Sequence, residues 1–330
     1  MTDSTPVSEI GERSLIKRLS GIFNKGCNPD VRIGSGTDDC AVVDISDDEY
    51  MVITTDMLHR KTDFPLQMTP WQIGWMSAAV NFSDVASMGA RPIGFLSAMG
   101  FSKDTDTFFV EEISRGMDDC AKFCGTSVIG GDIDTHDELT ITGTALGKVK
   151  KSELLTRKGA KVGDKVCVTG FAGSAGAALH AIENNITIPD SLLNKLLTPV
   201  PCVSEAMKLA SSGAVTCMMD TSDGLAMSLH DLADLNGVGF SIEEDSLPIQ
   251  AEISEFISSD PHLLTEFALY TGGDFELLFT VSPDKLKIAQ SVCYLNVIGD
   301  VAEEEVGTII RCRNEENSTI NRKGYLQLGD

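Results

Sequence analysis

Residues 69–92, TPWQIGWMSAAVNFSDVASMGARP, are apolar on most faces and polar at only a few positions. Trp75, Met76, Ala78, Ala79, Val80, Phe82 and Val85 leave no continuous wet stripe, which predicts a helix buried all round. Thr69 followed by Pro70 supplies an N-cap oxygen and a proline at the first helical position, and Gly89, with Pro92 beyond it, marks the stop. Asn81, Ser83 and Asp84 interrupt this helix. A carboxylate in such a segment needs a donor, a helix terminus or a cation, because burying a lone charge is very costly.

Around this helix the pattern alternates between strands and helices. Residues 8–22 read as a short helix, and 31–44 join a glycine turn to a strand through Asp38 and Asp39. The β-branched alternation of 50–55 predicts a strand ending at Asp56, with 59–64 as loop. Residues 94–100 read as a strand, and 107–123 as a helix striped by Phe109, Ile113, Met117 and Cys120 and closed by Gly125. A strand at 127–129 runs into Gly130, Gly131 and Asp132, and 139–145 return as β-structure. These elements predict an α/β domain over residues 1–148.

A turn at 157–164 leads into a second α/β domain over 149–330. Its elements are a strand at 165–168, a glycine-led helix, a helix at 204–210, a strand at 215–219, a helix at 225–235 and a strand at 275–280 preceded by Asp274. The glycines of GFAGSAG either approach a phosphate or make a simple tight turn. The Glu-rich and Asn-rich pieces near the C-terminus read as solvated turns.

Length agrees with two domains, since 330 residues exceed the usual size of one hydrophobic core. The net charge of -23, from 49 acidic and 26 basic residues, argues against nucleic-acid and membrane-surface partners. It would also make an anionic substrate depend on bound cations. No apolar run reaches membrane-spanning length, and residues 1–18 hold no apolar leader. Nine scattered cysteines without a disulfide-like framework suggest reduced thiols, so a cytoplasmic location is expected.

Asp39, Asp56, Asp84, Asp132, Asp220 and Asp223 recur at predicted strand ends or glycine-rich turns. Carboxylates are hard oxygen ligands suited to magnesium, and several together could hold the cations that bridge nucleotide phosphates. Capping of the helix at 225–235 would account for Ser222 or Asp223, but not for Asp220 as well. No histidine cluster, HExxH or tetrahedral cysteine set offers a zinc site. Gly130 and Gly131 permit close backbone approach beside Asp132, and Arg157 could neutralise an outer phosphate. Alignment and charge stabilisation suffice for phosphoryl transfer without a covalent nucleophile. A GxxxxGK phosphate loop and the protein-kinase motif set are both missing, so any ATP site has a different architecture.

In order, GERSLIKRL, GTDDCAVV, TTDML, AVNFSDVASMGARP, GGD, RKGAKVGD, MMDTSDGLAMSL and GGDFELLFTV resemble the motifs of the thiamine-monophosphate kinase family. That family lies within the aminoimidazole ribonucleotide synthetase-like ATP-binding superfamily. The resemblance implies a two-domain synthetase-like fold, with an N-terminal sheet that forms a homodimer and a C-terminal mixed α/β domain that closes over the nucleotide. It implies ATP-dependent phosphorylation of thiamine monophosphate to thiamine diphosphate, by direct attack of the substrate phosphate on the γ-phosphorus.

By the same resemblance the six aspartates are magnesium ligands, Thr54 and Thr55 add oxygens beside Asp56, and Gly131, Asp132, Arg157 and Ser222 meet ATP. Asp56, Asp84, Asp220 and Asp223 carry the catalytic charge. The acceptor side falls to His59, Asp63, Gly273 and Tyr325. Asp63 stands where the family pattern TTDxLxxxxHF has a histidine, with His59 four residues earlier, and Gly273 stands where GGEDYEL has its glutamate. Two alternatives are a related synthetase that activates an amide or carbonyl oxygen and a non-catalytic nucleotide-binding regulator.

Overall fold

The structure, a computed structural model, describes residues 6–26, 28–312 and 317–326. The first half runs α1 (Glu12–Phe23), β1 (Val31–Ile33), β2 (Ala41–Asp44), β3 (Glu49–His59), α2 (Pro70–Ser87), β4 (Arg91–Phe101), α3 (Thr107–Phe123), β5 (Val128–Thr135) and β6 (Thr140–Lys150). The second half opens with β7 (Lys165–Val168), α4 (Ser174–Glu183), α5 (Asp190–Leu197), α6 (Val203–Ser212), β8 (Val215–Asp220) and α7 (Leu225–Asn236). It continues with β9 (Gly239–Glu243), α8 (Ala251–Phe256), α9 (Pro261–Tyr270), β10 (Leu277–Val281), α10 (Leu286–Val292), β11 (Asn296–Ala302), β12 (Thr308–Arg311) and β13 (Asn317–Thr319).

Among the described residues these strands make two sheets. The first has the order β1-β2-β3-β6-β4-β5, and the second β13-β12-β9-β11-β7-β10-β8. The second is mixed, because β12 pairs parallel to β9 while its other pairings are antiparallel.

Pairing overrides the local pattern at several element ends. β3 continues to His59, so Asp56 sits inside the strand rather than at its end, and His59 is not loop. The cause is β6, which pairs with β3 from Glu49↔Lys150 through His59↔Thr140 and satisfies its backbone throughout. β5 likewise carries Gly130, Gly131 and Asp132 on to Thr135, because β4 offers a parallel partner as far as Phe101. In the C-terminal region the Glu-rich piece is an exposed 3-10 turn at Glu304–Val306, whereas the Asn-rich piece, of which 313–316 lie outside the described residues, leads into β13 beside β12, with β11 before them. Their neighbourhood buries Ile298, Val301, Ile310 and Ile320 in the second core, and these isolated apolar residues are too short a pattern to show a period.

The central helix follows its sequence closely. Thr69 Oγ1 accepts from Gln72 N (3.2 Å), while Gln72 Oε1 accepts from Thr69 N (3.0 Å), a reciprocal capping box followed by Pro70. Its burial on every face has a tertiary cause. One side of α2 covers the first sheet, another packs on α3, and a third meets α6 and β8 of the second half. Trp75 Nε1 donates to Pro199 O across this seam (2.6 Å), so the one polar atom of a buried indole is satisfied.

Where α2 and α3 cross, two glycines let the backbones touch. A Cβ on Gly74 would lie 1.8 Å from Ile113 O, and one on Gly116 would lie 1.9 Å from Trp71 O. Backbone cannot yield as a side-chain tip can, so a methyl group here must push the helices apart. Gly116→Ala should therefore destabilise the protein by about 3 kcal/mol or more, at the upper end of overpacking costs. Gly21→Ala, in α1 with no atom within 4 Å of its added Cβ, should be neutral or slightly stabilising. Urea unfolding of both variants measures the difference, and equal midpoints would contradict the close-crossing account.

Candidate active site

The seam between the halves gathers aspartates from distant parts of the chain. Asp39 lies between β1 and β2, Asp84 in the last turns of α2, and Asp220 at the end of β8. Each offers one oxygen, and the three oxygens lie within 4.8 Å of one another. Asp56 joins from β3 through its backbone, whose N–H donates to Asn81 Oδ1 (3.1 Å), and Asn81 Nδ2 is returned to Ser77 O (3.1 Å).

Hydroxyl donors orient the carboxylates. Thr54 Oγ1 donates to Asp84 Oδ2 (2.6 Å), Ser83 Oγ to Asp220 Oδ2 (2.7 Å) and Ser222 Oγ to Asp220 Oδ1 (2.9 Å). The three polar interruptions of α2 are therefore all spent on this seam. Ser222 and Asp223 do not cap α7, whose N-cap is Gly224 without a side-chain bond. Asp39 is the least satisfied member. Its side chain is 1 % exposed, Oδ1 accepts from Arg157 Nε (2.9 Å) and from Nη2, and Oδ2 is buried with no hydrogen-bond partner.

Burial and mutual repulsion raise the proton affinity of this group. Desolvation, followed by the charges of Asp220, Asp223 and Asp39, pushes Asp56 up to about 6. Desolvation and then Asp39 bring Asp220 to about 6, and desolvation and then Asp220 do the same for Asp223. Asp84 moves well above the ordinary carboxylate range, from desolvation first and then Asp56, Asp220 and Asp39. Asp38, beside the group, is pushed to about 7 by desolvation and then Asp39.

A cavity of about 740 Å³ opens beside these residues. Its walls include Arg13 and Lys17 of α1, Asp38, Arg157, Ser222 and Asp223. Arg13 reaches it while paired with Asp231 and lying 3.8 Å from Asp223. The GFAGSAG turn is elsewhere engaged: the N–H groups of Gly173 (2.6 Å) and Ala175 (2.9 Å) donate to Asp274. Asp274 thus caps α4 from another strand's approach, which favours the tight-turn reading of those glycines.

Other candidates form a second group. Asp63 accepts from His59 N (2.7 Å), Thr62 Oγ1 (2.7 Å) and Tyr325 Oη (3.1 Å). Tyr325 N donates to Asp223 O (3.0 Å) and Gly273 N to Ser222 O (2.9 Å), which ties this group to the loop after β8. His59 Nδ1 lies 3.1 Å from Thr140 Oγ1. Desolvation, then the Asp63 charge, pushes the Tyr325 phenol up to about 12.

Three candidates stand apart from the carboxylates. Thr55 faces the other side of β3 from Thr54 and Asp56, donating to Gly143 O (2.7 Å). Gly131 and Asp132 lie on β5, the far edge of the first sheet. The register Met57↔Thr142↔Ala98↔Asp132 puts Asp132 three strand spacings from β3, roughly 14 Å, on the face away from α2. Asn236, which sequence reading did not single out, proves to hold the Arg157 backbone: its Nδ2 donates to Arg157 O (2.9 Å). An asparagine at a helix end before glycine gives no signal of such a role.

Residues 37–149 match the pattern of AIR synthase related protein, N-terminal domain, and residues 161–311 that of AIR synthase related protein, C-terminal domain. The thiamine-monophosphate kinase of Methanospirillum hungatei JF-1 is 43 % identical over 295 residues, covering 89 % of this chain and 94 % of the relative. That of Archaeoglobus fulgidus is 36 % identical over 282 residues, covering 84 % and 89 %. Among solved structures, AaThiL complexed with AMPPCP and TMP superposes with a TM-score of 0.85 at 25 % identity, covering 99 % of this chain and 100 % of that one. With both AIR synthase-related domains present in order and 43 % identity to a relative covered almost end to end, the chain belongs to the thiamine-monophosphate kinase family.

Proposed function

We propose that this protein phosphorylates thiamine monophosphate to thiamine diphosphate with ATP, using magnesium held at the seam between its halves. The observation that carries the reading is the Asp39, Asp84 and Asp220 cluster, set in a chain that matches, over 99 % of its length, a fold solved with AMPPCP and TMP. The donor set suits the ion. It is all hard oxygen, and the buried, unpartnered Asp39 Oδ2 needs a cation or a proton. Asp39, Asp56, Asp84, Asp220 and Asp223 would hold magnesium, with Thr54 steering Asp84. Bound magnesium neutralises phosphate charge and aligns the reacting oxygens.

The chain's own groups do the rest. Ser83 and Ser222 fix both oxygens of Asp220, and Asn81 fixes the Asp56 backbone, so the carboxylates are aimed before any ligand arrives. Arg157 and Ser222 border the cavity that suits a nucleotide. His59, Asp63, Gly273 and Tyr325 would serve the acceptor, with Gly273 and Tyr325 bonded to the loop that carries Ser222 and Asp223 and Asp63 bonded to Tyr325. A substrate phosphate is already an oxygen nucleophile, and no side chain is assigned as base.

A homodimer completes this reading. The face of the first sheet away from α2 leaves Met57 54 % exposed, and the edge strand β5 exposes Ile129. Thr55 and Asp132 share that face but stand strands apart within one chain. A two-fold copy packed there would bring Asp132 of one subunit, with Gly131, to the Thr55 side of its neighbour's site. The eight described cysteines are free, in keeping with a cytoplasmic setting, and the strong negative charge disfavours nucleic acid and anionic membrane surfaces as partners.

An acceptor screen with ATP and magnesium, followed by product mass, tests the activity. Thiamine diphosphate should form from thiamine monophosphate and not from thiamine or aminoimidazole precursors. ATP binding without any diphosphate product would remove the assignment and favour a regulator.

Stability should follow the raised carboxylate pKa values. Between about pH 7 and 4 the metal-free folded protein binds protons that the unfolded chain has already released, so its melting temperature in EDTA should rise as pH falls from 8 towards 5.5. The gain from added magnesium should shrink over the same range, because protons and metal compete. A magnesium gain that stays constant would contradict a carboxylate site.

Mixing two inactive proteins tests the shared site. Asp132→Asn and Asp220→Asn should each lose activity, while a re-equilibrated equal mixture should recover roughly a quarter of the wild-type rate, one intact site in each mixed dimer. No recovery despite subunit exchange would place Asp132 outside the partner's site.

A further inference from the structure

Arg157 has a firmly anchored backbone and a side chain tied to a single oxygen. Its N–H donates to both oxygens of Asp38 (3.2 and 3.3 Å), and its carbonyl accepts from Asn236. Asn236 Oδ1 in turn accepts from the N–H groups of Gly159 (2.7 Å) and Ala160 (3.2 Å), so the backbone is clamped at the arginine and just after it. The guanidinium is held otherwise. Nε and Nη2 both donate to Oδ1 of Asp39, and the side chain remains 26 % exposed towards the 740 Å³ cavity.

This places a monovalent side-chain cation against a carboxylate of the group that would receive a divalent ion. The two cannot share Asp39 Oδ1 without strong repulsion at such short range. The same planar fork that grips a carboxylate also fits phosphate oxygens. A phosphate entering the cavity therefore offers the guanidinium a new partner without any movement of the clamped backbone.

We infer that Arg157 is an exchange residue that neutralises Asp39 while the cluster is metal-free and passes to the nucleotide phosphates when metal and nucleotide enter together. Asp39 Oδ1 is then released to the cation, next to the Oδ2 that already lacks a partner. Metal alone must displace the guanidinium into water, whereas metal with nucleotide finds it a partner. The two ligands therefore bind with positive coupling, and Arg157 acts as a positioning residue whose charge sets the order of filling. The inference rests on the cluster being the metal-nucleotide site of the kinase.

Mn²⁺ titration of the full chain, followed by electron paramagnetic resonance with and without AMPPCP, reads the exchange directly. In the wild type AMPPCP should tighten Mn²⁺ binding by about tenfold or more. Arg157→Gln should bind Mn²⁺ alone several-fold more tightly than the wild type and lose most of the AMPPCP-dependent tightening. Arg157→Lys, which keeps the charge but not the fork, should fall between them, and it carries the comparison if the glutamine variant does not fold. Folded variants that bind Mn²⁺ alone no more tightly than the wild type would overturn the exchange and leave Arg157 a fixed ion pair. A wild type that takes up no Mn²⁺ in either condition would overturn the metal reading of the cluster itself.

Discussion

Like charges held close together inside a protein set the terms for everything around the seam. Oxygens of Asp39, Asp84 and Asp220 lie within 4.8 Å of one another, and two unit charges at that distance repel by about 3–4 kcal/mol at an effective dielectric constant near 20. Three such pairs approach the whole stability of a typical domain, roughly 5–15 kcal/mol. The folded chain cannot keep the group fully ionised unless something positive or a proton joins it. Arg157 on Asp39 supplies the positive charge, and burial raises the proton affinity of Asp56, Asp84 and Asp220. A site under that strain is already disposed to take up cations, which is what an enzyme handling a nucleoside triphosphate and a phosphate ester requires.

Packing around α2 ties the seam together. Its apolar faces are held by the first sheet, by α3 through a glycine-lined crossing and by α6 and β8. Three of its polar residues, Asn81, Ser83 and Asp84, serve the carboxylate group. Ser83 reaches Asp220, Asn81 holds the Asp56 backbone and Asp84 is itself held by Thr54, so one helix joins its own aspartate to acidic positions from two separate strands. Buried polar groups with every partner in place fix geometry strongly, and here they do so where alignment matters for phosphoryl transfer.

Around Tyr325 the departures from the family pattern are chemically coherent. Asp63 accepts the Tyr325 hydroxyl, so an acidic residue and a phenol stand bonded to each other across the cleft. Tyr325 is also joined through its backbone to Asp223, and Gly273 to Ser222. The residues proposed for the two substrates thus meet at the loop after β8.

Much of this architecture was readable in the linear chain. The capping box and the all-round apolar surface of α2 are local signals, since helix capping needs only neighbours and burial on every face shows in composition. The recurrence of aspartates in apolar surroundings marked the carboxylate site, and the ordered motifs narrowed its chemistry. Strand ends were not readable, because Asp56 lies inside β3 only where β6 continues to pair with it. Nor could sequence order distinguish Thr54 from Thr55, or Asp84 from Asp132. Sheet alternation turns the two threonines to opposite faces, and strand order carries Asp132 to the far edge of the first sheet. By itself the sequence determined which residues carry charge, which segments must be buried and which family the chain resembles. Only the tertiary structure decided which of those charges meet, because distances between them depend on pairing and packing across the whole chain rather than on spacing along it.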